Sequence, residues 1–323
     1  MSTCNLCPRQ CNADRNFSEG WCGSDDRIHV ASIVIHKGEE PPVSGNKGIV
    51  NLFFPSCNMR CIYCQNHEIS AKGTQGTVMS LDEVSDAIAE LLPHSEGNLG
   101  FVSPTHFVPQ MVMIVKELRR RGYNPVIVYN SNGYDLPETI RSLEGTVDVW
   151  LPDFKYSDDN LAEECSSAPC YSTFALSALK AMVHQCGVTL QTNDKGIVQR
   201  GVIVRHLVLP GQVENSIGVL KILAEEVSPN LHISLMSQYY PPERNLQLAN
   251  FDSRMREGSD NRKSQNHKSQ IANRKSLLRS ISRNEYETVL EAFHFLGFTH
   301  GWLQEYDSHL SYRPDFSKMK PFN

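Results

Sequence analysis

The chain has 323 residues, of which 40% are hydrophobic and 21% charged, so it is long and apolar enough to fold around a packed core. The formal net charge of −5 and the pI near 6.2 argue against general binding to nucleic acid or to an anionic membrane. The sequence shows neither a secretory signal nor an apolar run of the roughly 18 to 20 residues that span a bilayer, so we expect a cytoplasmic protein.

Residues 1–46 form a Cys-rich N-terminal extension with the pattern C-x2-C-x3-C-x10-C. Its cysteines are Cys4, Cys7, Cys11 and Cys22. Clustered cysteines in a large chain of a reducing compartment indicate metal ligation rather than disulfides. The spacing suits a structural zinc ion and an auxiliary iron–sulfur cluster equally well, and unmetallated thiols are the third possibility.

From residue 47 onward, apolar runs typical of buried strands alternate with amphipathic segments typical of helices. Strands are predicted at 49–54, 98–103, 125–130, 147–154, 201–210 and 232–239. Helices are predicted at 80–92, 108–122, 137–144, 172–186, 214–227 and 283–296. Most strand runs are continuously apolar, and repeated β-α units predict an α/β fold with a parallel sheet. Such sheets bind ligands at the carboxyl ends of their strands.

Three further regions follow the N-terminal extension. We expect a catalytic core at 47–253, a disordered basic insertion at 254–283, and a C-terminal helix and tail at 284–323 that pack on the core. The insertion repeats "NRKS" and has nine Lys and Arg residues against two Asp and Glu residues. A solvated disordered segment is the main interpretation, and a tail that binds RNA or an acidic partner is the alternative. We expect the core to fold without the insertion.

The stretch "FFPSCNMRCIYCQNHEIS" places Cys57, Cys61 and Cys64 directly after the first predicted strand of the core. Structural zinc normally takes four ligands, so these three cysteines would need His67 to complete a Cys3His site. In a cubane 4Fe-4S cluster, three thiolates leave one of the four irons without a protein ligand. The sequence therefore predicts a cluster with one iron open, and a zinc knuckle is the alternative.

The stretch "CNMRCIYC" resembles the cluster motif of the radical S-adenosylmethionine (radical SAM) superfamily. The wider chain, from "CNLCPRQC" to "EYDSHLSYRPDF", resembles the branch related to pyruvate formate-lyase activating enzymes. The resemblance implies a partial (β/α)6 barrel in which Cys57, Cys61 and Cys64 hold the 4Fe-4S cluster. It also implies that the fourth iron chelates S-adenosylmethionine (AdoMet), whose cleavage yields a 5′-deoxyadenosyl radical for hydrogen abstraction.

Other cofactor-binding residues follow from the same resemblance. Ser103 in "VSPTH" stands where the family has a Gly-Gly-Glu turn, and Asn132 in "YNSNGY" lies in the equivalent of an Asp-Thr-Asn-Gly turn. Lys155 in "LPDFKY" and Arg205 in "VIVRHLVLPG" match residues that contact AdoMet in activating enzymes. Lys155 shares a strand face with Asp153, so an ion pair is the alternative role. Burying Arg205 requires a carboxylate partner.

The resemblance further implies partners. They are a glycyl radical enzyme or another protein substrate, and an electron donor such as flavodoxin or ferredoxin; no nucleic acid or membrane is expected. Two alternatives stay open: a radical SAM enzyme that acts on a small molecule or peptide, and a non-catalytic zinc-binding scaffold.

Overall fold

The computed structural model describes residues 3–242 and 275–308. Its strands are β1 (His29–Val30), β2 (Ser32–His36), β3 (Ile49–Phe53), β4 (Thr77–Val78), β5 (Asn98–Val102), β6 (Val126–Ser131), β7 (Val149–Pro152), β8 (Gln191–Thr192), β9 (Val198–Leu207), β10 (His232–Met236) and β11 (Gly301–Leu303). Its α-helices are α1 (Pro41–Ser44), α2 (His67–Ser70), α3 (Leu81–Leu91), α4 (Val108–Arg120), α5 (Pro137–Ser142), α6 (Asp159–Ser166), α7 (Tyr171–Cys186), α8 (Val213–Glu226) and α9 (Arg283–Phe295).

The main sheet follows the chain almost in order. Its strands lie in the sequence β2-β3-β5-β6-β7-β9-β10-β11, with β8 paired to β9. All neighbours from β3 to β11 on this path are parallel, and only β2 runs antiparallel to its neighbour β3. Within the described residues β2 and β11 do not pair, so the sheet stays open. The expected α/β fold with mostly parallel strands is confirmed.

All six strands and all six helices predicted from periodicity are present, with ends that differ by a few residues. The predicted capping box of α3 forms: Ser80 Oγ accepts from the Glu83 amide, and the Glu83 carboxylate accepts from the Ser80 amide at 2.7 Å. Several elements were not predicted, among them β2, α6 and β11. These three are an edge strand, an eight-residue helix and a three-residue strand, whose apolar patterns are too short to recognise.

A small apolar cluster closes the amino ends of the parallel strands. Val43 of α1 packs there with residues of β3, β6, β7 and β9. The main members of this cluster are Val43, Ile49, Val128, Val149, Leu151, Val198 and Ile203. Since α1 follows β2 directly, the segment between β2 and β3 forms a plug beneath the sheet.

The last residues of the predicted basic insertion pack on the core. Leu277 and Ile281 are buried in the main core cluster, and the Leu277 carbonyl accepts a hydrogen bond from Tyr239 Oη at 2.7 Å. Residues 275–283 therefore belong to the packed structure, because their apolar side chains are anchored in the core. Residues 254–274 of the predicted insertion and 309–323 of the predicted tail lie outside the described residues.

The helix that follows residue 282 packs on the core. Helix α9 lies against α8, and its buried residues Tyr286, Val289 and Phe293 join the main core. Among the helices that the structure describes, none has both the length and the apolar character needed to cross a bilayer.

Candidate active site

A cavity of about 500 Å³ opens at the carboxyl ends of the parallel strands and extends into the sheet. Every core residue predicted from sequence to bind the cluster or AdoMet lines it. These residues are Cys57, Cys61, Cys64, Ser103, Asn132, Lys155 and Arg205. The fold thus brings together side chains from five separate strand ends.

The first motif cysteine is held by the turn that follows β6. Asn132 Nδ2 donates to Cys57 Sγ at 3.2 Å and to Asn58 Oδ1 at 2.7 Å. The Met59 amide also donates to Cys57 Sγ, at 3.3 Å. Asn132 therefore orients the thiol, a role beyond the AdoMet contact predicted from sequence.

The other two cysteines are held from the opposite side. Ser166 Oγ donates to Cys61 Sγ at 3.0 Å, and Ser70 Oγ lies 3.1 Å from Cys64 Sγ. The carboxyl end of α6 also supports the loop backbone, because the amide of Arg60 donates to the Ser166 carbonyl at 2.9 Å. The loop is thus fixed before any metal binds.

Burial raises the pKa of Cys57 to about 12 and that of Cys61 to about 11; neighbouring thiols add to the first shift, and Lys155 opposes the second. Ionising these two thiols therefore needs a compensating positive centre, which iron ions would provide.

The donor set fits a three-thiolate cluster better than a single ion. Within residues 3–242 and 275–308, no three His, Cys, Asp or Glu side chains meet closely enough to share one metal ion. A cubane does not require that convergence, since each thiolate binds a different iron. His67 does not line the cavity, so it does not complete a Cys3His site there.

Arg205 is the centre of a buried charge network. Its Nε donates to Asp153 Oδ1 at 2.9 Å, its Nη1 to Glu39 Oε2 at 3.2 Å, and its Nη2 to Asn130 Oδ1 at 2.6 Å. Lys155 Nζ donates to the other oxygen of Asp153 at 2.5 Å. The carboxylate partner expected for Arg205 is therefore present twice, and Lys155 forms the expected ion pair with Asp153.

The network keeps its members ionised despite burial. Burial lowers the pKa of Arg205, but Asp153 and the two glutamates outweigh that effect and leave the pKa raised. Burial raises the pKa of Asp153, and Arg205 and Lys155 reverse the shift. Arg205 and Lys155 therefore stay charged at the cavity wall, balanced by Asp153 and Glu39.

Glu39 and Glu40 are functional candidates that sequence reasoning missed. They lie in the plug, outside the core predicted at 47–253, yet both line the cavity. Glu39 Oε1 also accepts from Asn51 Nδ2 at 2.9 Å, which ties the plug to β3. The only signal was the pair of acidic residues before the prolines in "HKGEEPPVSG", a pattern equally typical of a surface loop.

Two turns shape the upper cavity. Gly133 has φ +82°, and a Cβ there would lie 2.1 Å from the Asp153 carbonyl oxygen, so the predicted Asn-Gly turn requires glycine. Ser103 has φ +50°, and its amide donates to the Asn130 carbonyl at 2.7 Å. The chain therefore bends at Ser103 without the glycines of the family turn.

The Cys-rich extension packs against the loop that carries the motif cysteines. Arg9 Nε donates to the Asn58 carbonyl at 3.0 Å. Its guanidinium lies 3.6 Å from the ring centroid of Trp21, and that of Arg60 lies 3.8 Å from the same ring. An Arg-Trp-Arg stack thus joins the extension to the core.

The four cysteines of the extension lie outside the cavity lining. A Cβ at Gly20 would lie 3.3 Å from Cys22 Sγ and 3.5 Å from Cys11 Sγ, so these two sulfurs flank the glycine. Burial raises the pKa of Cys7 to about 12. Whether the extension holds zinc or an auxiliary cluster stays a prediction.

Comparison with known proteins places the chain in a family. Residues 51–220, just over half of the chain, match the Radical SAM superfamily. An uncharacterized protein of Methanocaldococcus jannaschii is 26% identical over 262 residues, which are 79% of this chain and 71% of the relative.

Two solved structures illustrate the similarity. One is native anSMEcpe with bound AdoMet, with a TM-score of 0.45 and 11% identity over 77% of this chain and 63% of that one. The other is HydG, a maturase of the FeFe-hydrogenase, with a TM-score of 0.45 and 11% identity over 81% of this chain and 52% of that one. The chain therefore spans less than two thirds of either solved protein. On the match over residues 51–220, the protein belongs to the radical SAM superfamily.

Proposed function

We propose that the protein is an enzyme that binds a 4Fe-4S cluster through Cys57, Cys61 and Cys64, and cleaves AdoMet reductively to abstract hydrogen from a substrate. One observation carries the proposal: the three thiols and the buried Arg205 network line the same cavity. A zinc-binding scaffold would need no such network, because its thiols would only have to stabilise the fold.

The residues of the cavity have separate roles in this proposal. Asn132 and Ser166 hold two of the thiols in place by hydrogen bonds. Arg205 and Lys155 bind the AdoMet carboxylate in the same cavity whose apolar wall is formed by Phe53, Val102, Leu207 and Met236. When bound and reduced, the cluster supplies the electron that breaks the C–S bond of AdoMet. The apolar wall keeps water from the reactive product.

The finer proposal is that the substrate is a glycyl radical enzyme and that flavodoxin or ferredoxin donates the electron. It is supported by the resemblance of "YNSNGY", "LPDFKY" and "VIVRHLVLPG" to the corresponding stretches of activating enzymes. All three stretches contribute residues to the cavity lining.

A second candidate is a small-molecule substrate. The plug closes the amino end of the sheet, so the cavity ends inside the molecule, and about 500 Å³ accommodates a ligand of moderate size. An enclosed site of this kind suits a small molecule that shares the space with AdoMet.

The experiment is an assay for 5′-deoxyadenosine after anaerobic reconstitution with iron and sulfide and reduction with dithionite. We expect the wild-type protein and Cys165→Ser to form 5′-deoxyadenosine and Cys57→Ala to form none. Deuterium transfer from a labelled glycyl radical enzyme or from labelled small molecules then identifies the substrate class. A fully reconstituted wild-type protein that never cleaves AdoMet would contradict the proposal, and stoichiometric zinc without sulfide would favour the scaffold.

A further inference from the structure

The closed end of the cavity contains a buried carboxyl group with an oxygen that has no partner. Glu40 precedes α1 and is 8% exposed. Its Oε2 is buried and makes no hydrogen bond within the described residues, although Glu40 lines the cavity. A buried polar atom without a partner destabilises the folded state. The atom is therefore a candidate contact for a ligand.

The side chains around Glu40 are polar and aromatic. Ser234 lies near the Glu40 carboxyl and pairs in register with Trp302 on the neighbouring strand β11. Both Ser234 and Trp302 line the cavity. We call Glu40, Ser234 and Trp302 the floor subsite. A carboxylate beside an aromatic ring is the combination that recognises ammonium ions.

The charge of the cavity lining favours a cation at this place. Its described carboxylates outnumber its Lys and Arg side chains by four to two: Glu39, Glu40, Asp153 and Glu305 against Lys155 and Arg205. Bound AdoMet adds a net charge of +1, because it carries a carboxylate, an ammonium and a sulfonium. With all four carboxylates ionised, the lining and AdoMet together keep a net charge of −1 before the cluster and its three thiolates are counted.

Glu40 is the member of this set best placed to supply that charge. Glu39 and Asp153 already accept hydrogen bonds from Arg205. Burial raises the pKa of Glu40 and Arg205 opposes the shift, so an arriving cation would favour the ionised carboxylate.

We propose that the floor subsite binds the ammonium group of a primary-amine substrate, which donates to Glu40 Oε2 and packs against the ring of Trp302. The inference rests on the second candidate of the proposed function, a small molecule that shares the cavity with AdoMet. It gives that candidate a chemical class, and it does not depend on which hydrogen is abstracted.

The test uses butylammonium as the probe, with butan-1-ol and butanoate as neutral and anionic comparisons. Binding to the reconstituted holoprotein is measured by calorimetric titration and by the midpoint of thermal unfolding, with and without AdoMet. Of the three probes, we expect only butylammonium to bind saturably. Its affinity should fall about tenfold or more in Glu40→Gln, because a hydrogen bond to a charged group is removed. Trp302→Leu should weaken the same binding, and the exposed Glu287→Gln on α9 should leave it unchanged.

Several outcomes would overturn the inference. They are equal binding of butylammonium by Glu40→Gln, stronger binding of butan-1-ol than of butylammonium, and no binding of butylammonium by the wild-type protein. If Glu40→Gln does not fold, Trp302→Leu carries the comparison, and unchanged affinity in that variant counts against the floor subsite. Failure of the proposed function is a different result: it would appear as no AdoMet binding and no 5′-deoxyadenosine formation, both measured on the same wild-type sample.

Discussion

Glu39 Oε2 accepts a hydrogen bond from Arg205 Nη1 at 3.2 Å, although 166 positions separate the two residues in the chain. The contact joins the plug before α1 to the middle of β9. Both side chains are largely buried, with 9% and 16% of their surfaces exposed. A segment outside the predicted catalytic core therefore fixes the orientation of a predicted AdoMet-binding residue.

Substitution of Arg205 is expected to lower the free energy of unfolding and to weaken AdoMet binding. Arg205→Ala leaves Glu39 as a buried carboxylate without a cation, which costs about 3–5 kcal/mol of the free energy of unfolding. Arg205→Lys keeps the charge but cannot donate from three nitrogens at once, so an intermediate loss is expected. Urea titration and AdoMet titration measure the two effects. If Arg205→Ala were as stable as the wild-type protein, the Arg205–Glu39 ion pair would be solvated and not buried.

Substitution of the motif cysteines is expected to abolish one cluster. Cys57→Ala, Cys61→Ala and Cys64→Ala should each lose the iron, the inorganic sulfide and the electron paramagnetic resonance signal of that cluster after reduction. Cys165→Ser is the matched control, because Cys165 is buried beside the same loop but does not line the cavity. Full cluster content in any of the three alanine variants would exclude that cysteine as a ligand.

The N-terminal extension is expected to keep its own metal when the cavity cluster is removed. In the triple variant of Cys57, Cys61 and Cys64 we expect the four thiolates of the extension to retain either a zinc ion or an auxiliary iron–sulfur cluster. Elemental analysis and sulfide assay distinguish the two. Zinc without sulfide would identify a structural ion, iron with sulfide would identify a cluster, and absence of both metals would contradict the expectation.

Sequence patterns predicted the parts of the site that follow strands and could not predict the plug. Cys57 and Arg205 stand out because each is polar and directly follows or interrupts a long apolar run. Glu40 occurs in a polar stretch, and nothing in the local pattern distinguishes a buried carboxyl from a solvated one. Its burial results from the packing of Val43 against four strands, which is a property of the whole sheet. Ser234 was not predicted either, because a single serine within a strand does not by itself indicate a binding site.

Stability is expected to fall at mildly acidic pH because of His206. Its Nδ1 lies 2.7 Å from the Phe154 carbonyl oxygen, and its Nε2 lies 2.9 Å from Ser216 Oγ. Burial lowers its pKa from 6.5 to about 4, so the folded state binds the proton more weakly than the unfolded state. The contribution to stability is therefore complete above pH 6.5 and is lost as the pH falls towards 4, on the order of 3 kcal/mol. Urea titrations across this range should show a weaker pH dependence in His206→Gln, and an identical dependence would contradict the assignment.

Alanine at Gly133 is expected to damage the AdoMet site through the backbone of β7. The residue has φ +82°, and a Cβ would lie 2.1 Å from the Asp153 carbonyl oxygen, so the turn or the strand end must move. Gly145→Ala is the matched control, since Gly145 has φ +73° and nothing lies within 4 Å of its Cβ position. The control should lose only the roughly 1–2 kcal/mol that left-handed backbone costs a residue with a Cβ.

Gly133→Ala should lose more stability than Gly145→Ala and should also weaken AdoMet binding, because Asp153 holds both Arg205 and Lys155. Thermal unfolding and AdoMet titration of the two variants separate backbone strain from displacement of the charge network. Equal stability loss in both variants, with AdoMet affinity unchanged, would mean that the strand end adjusts without moving the Asp153 carboxylate.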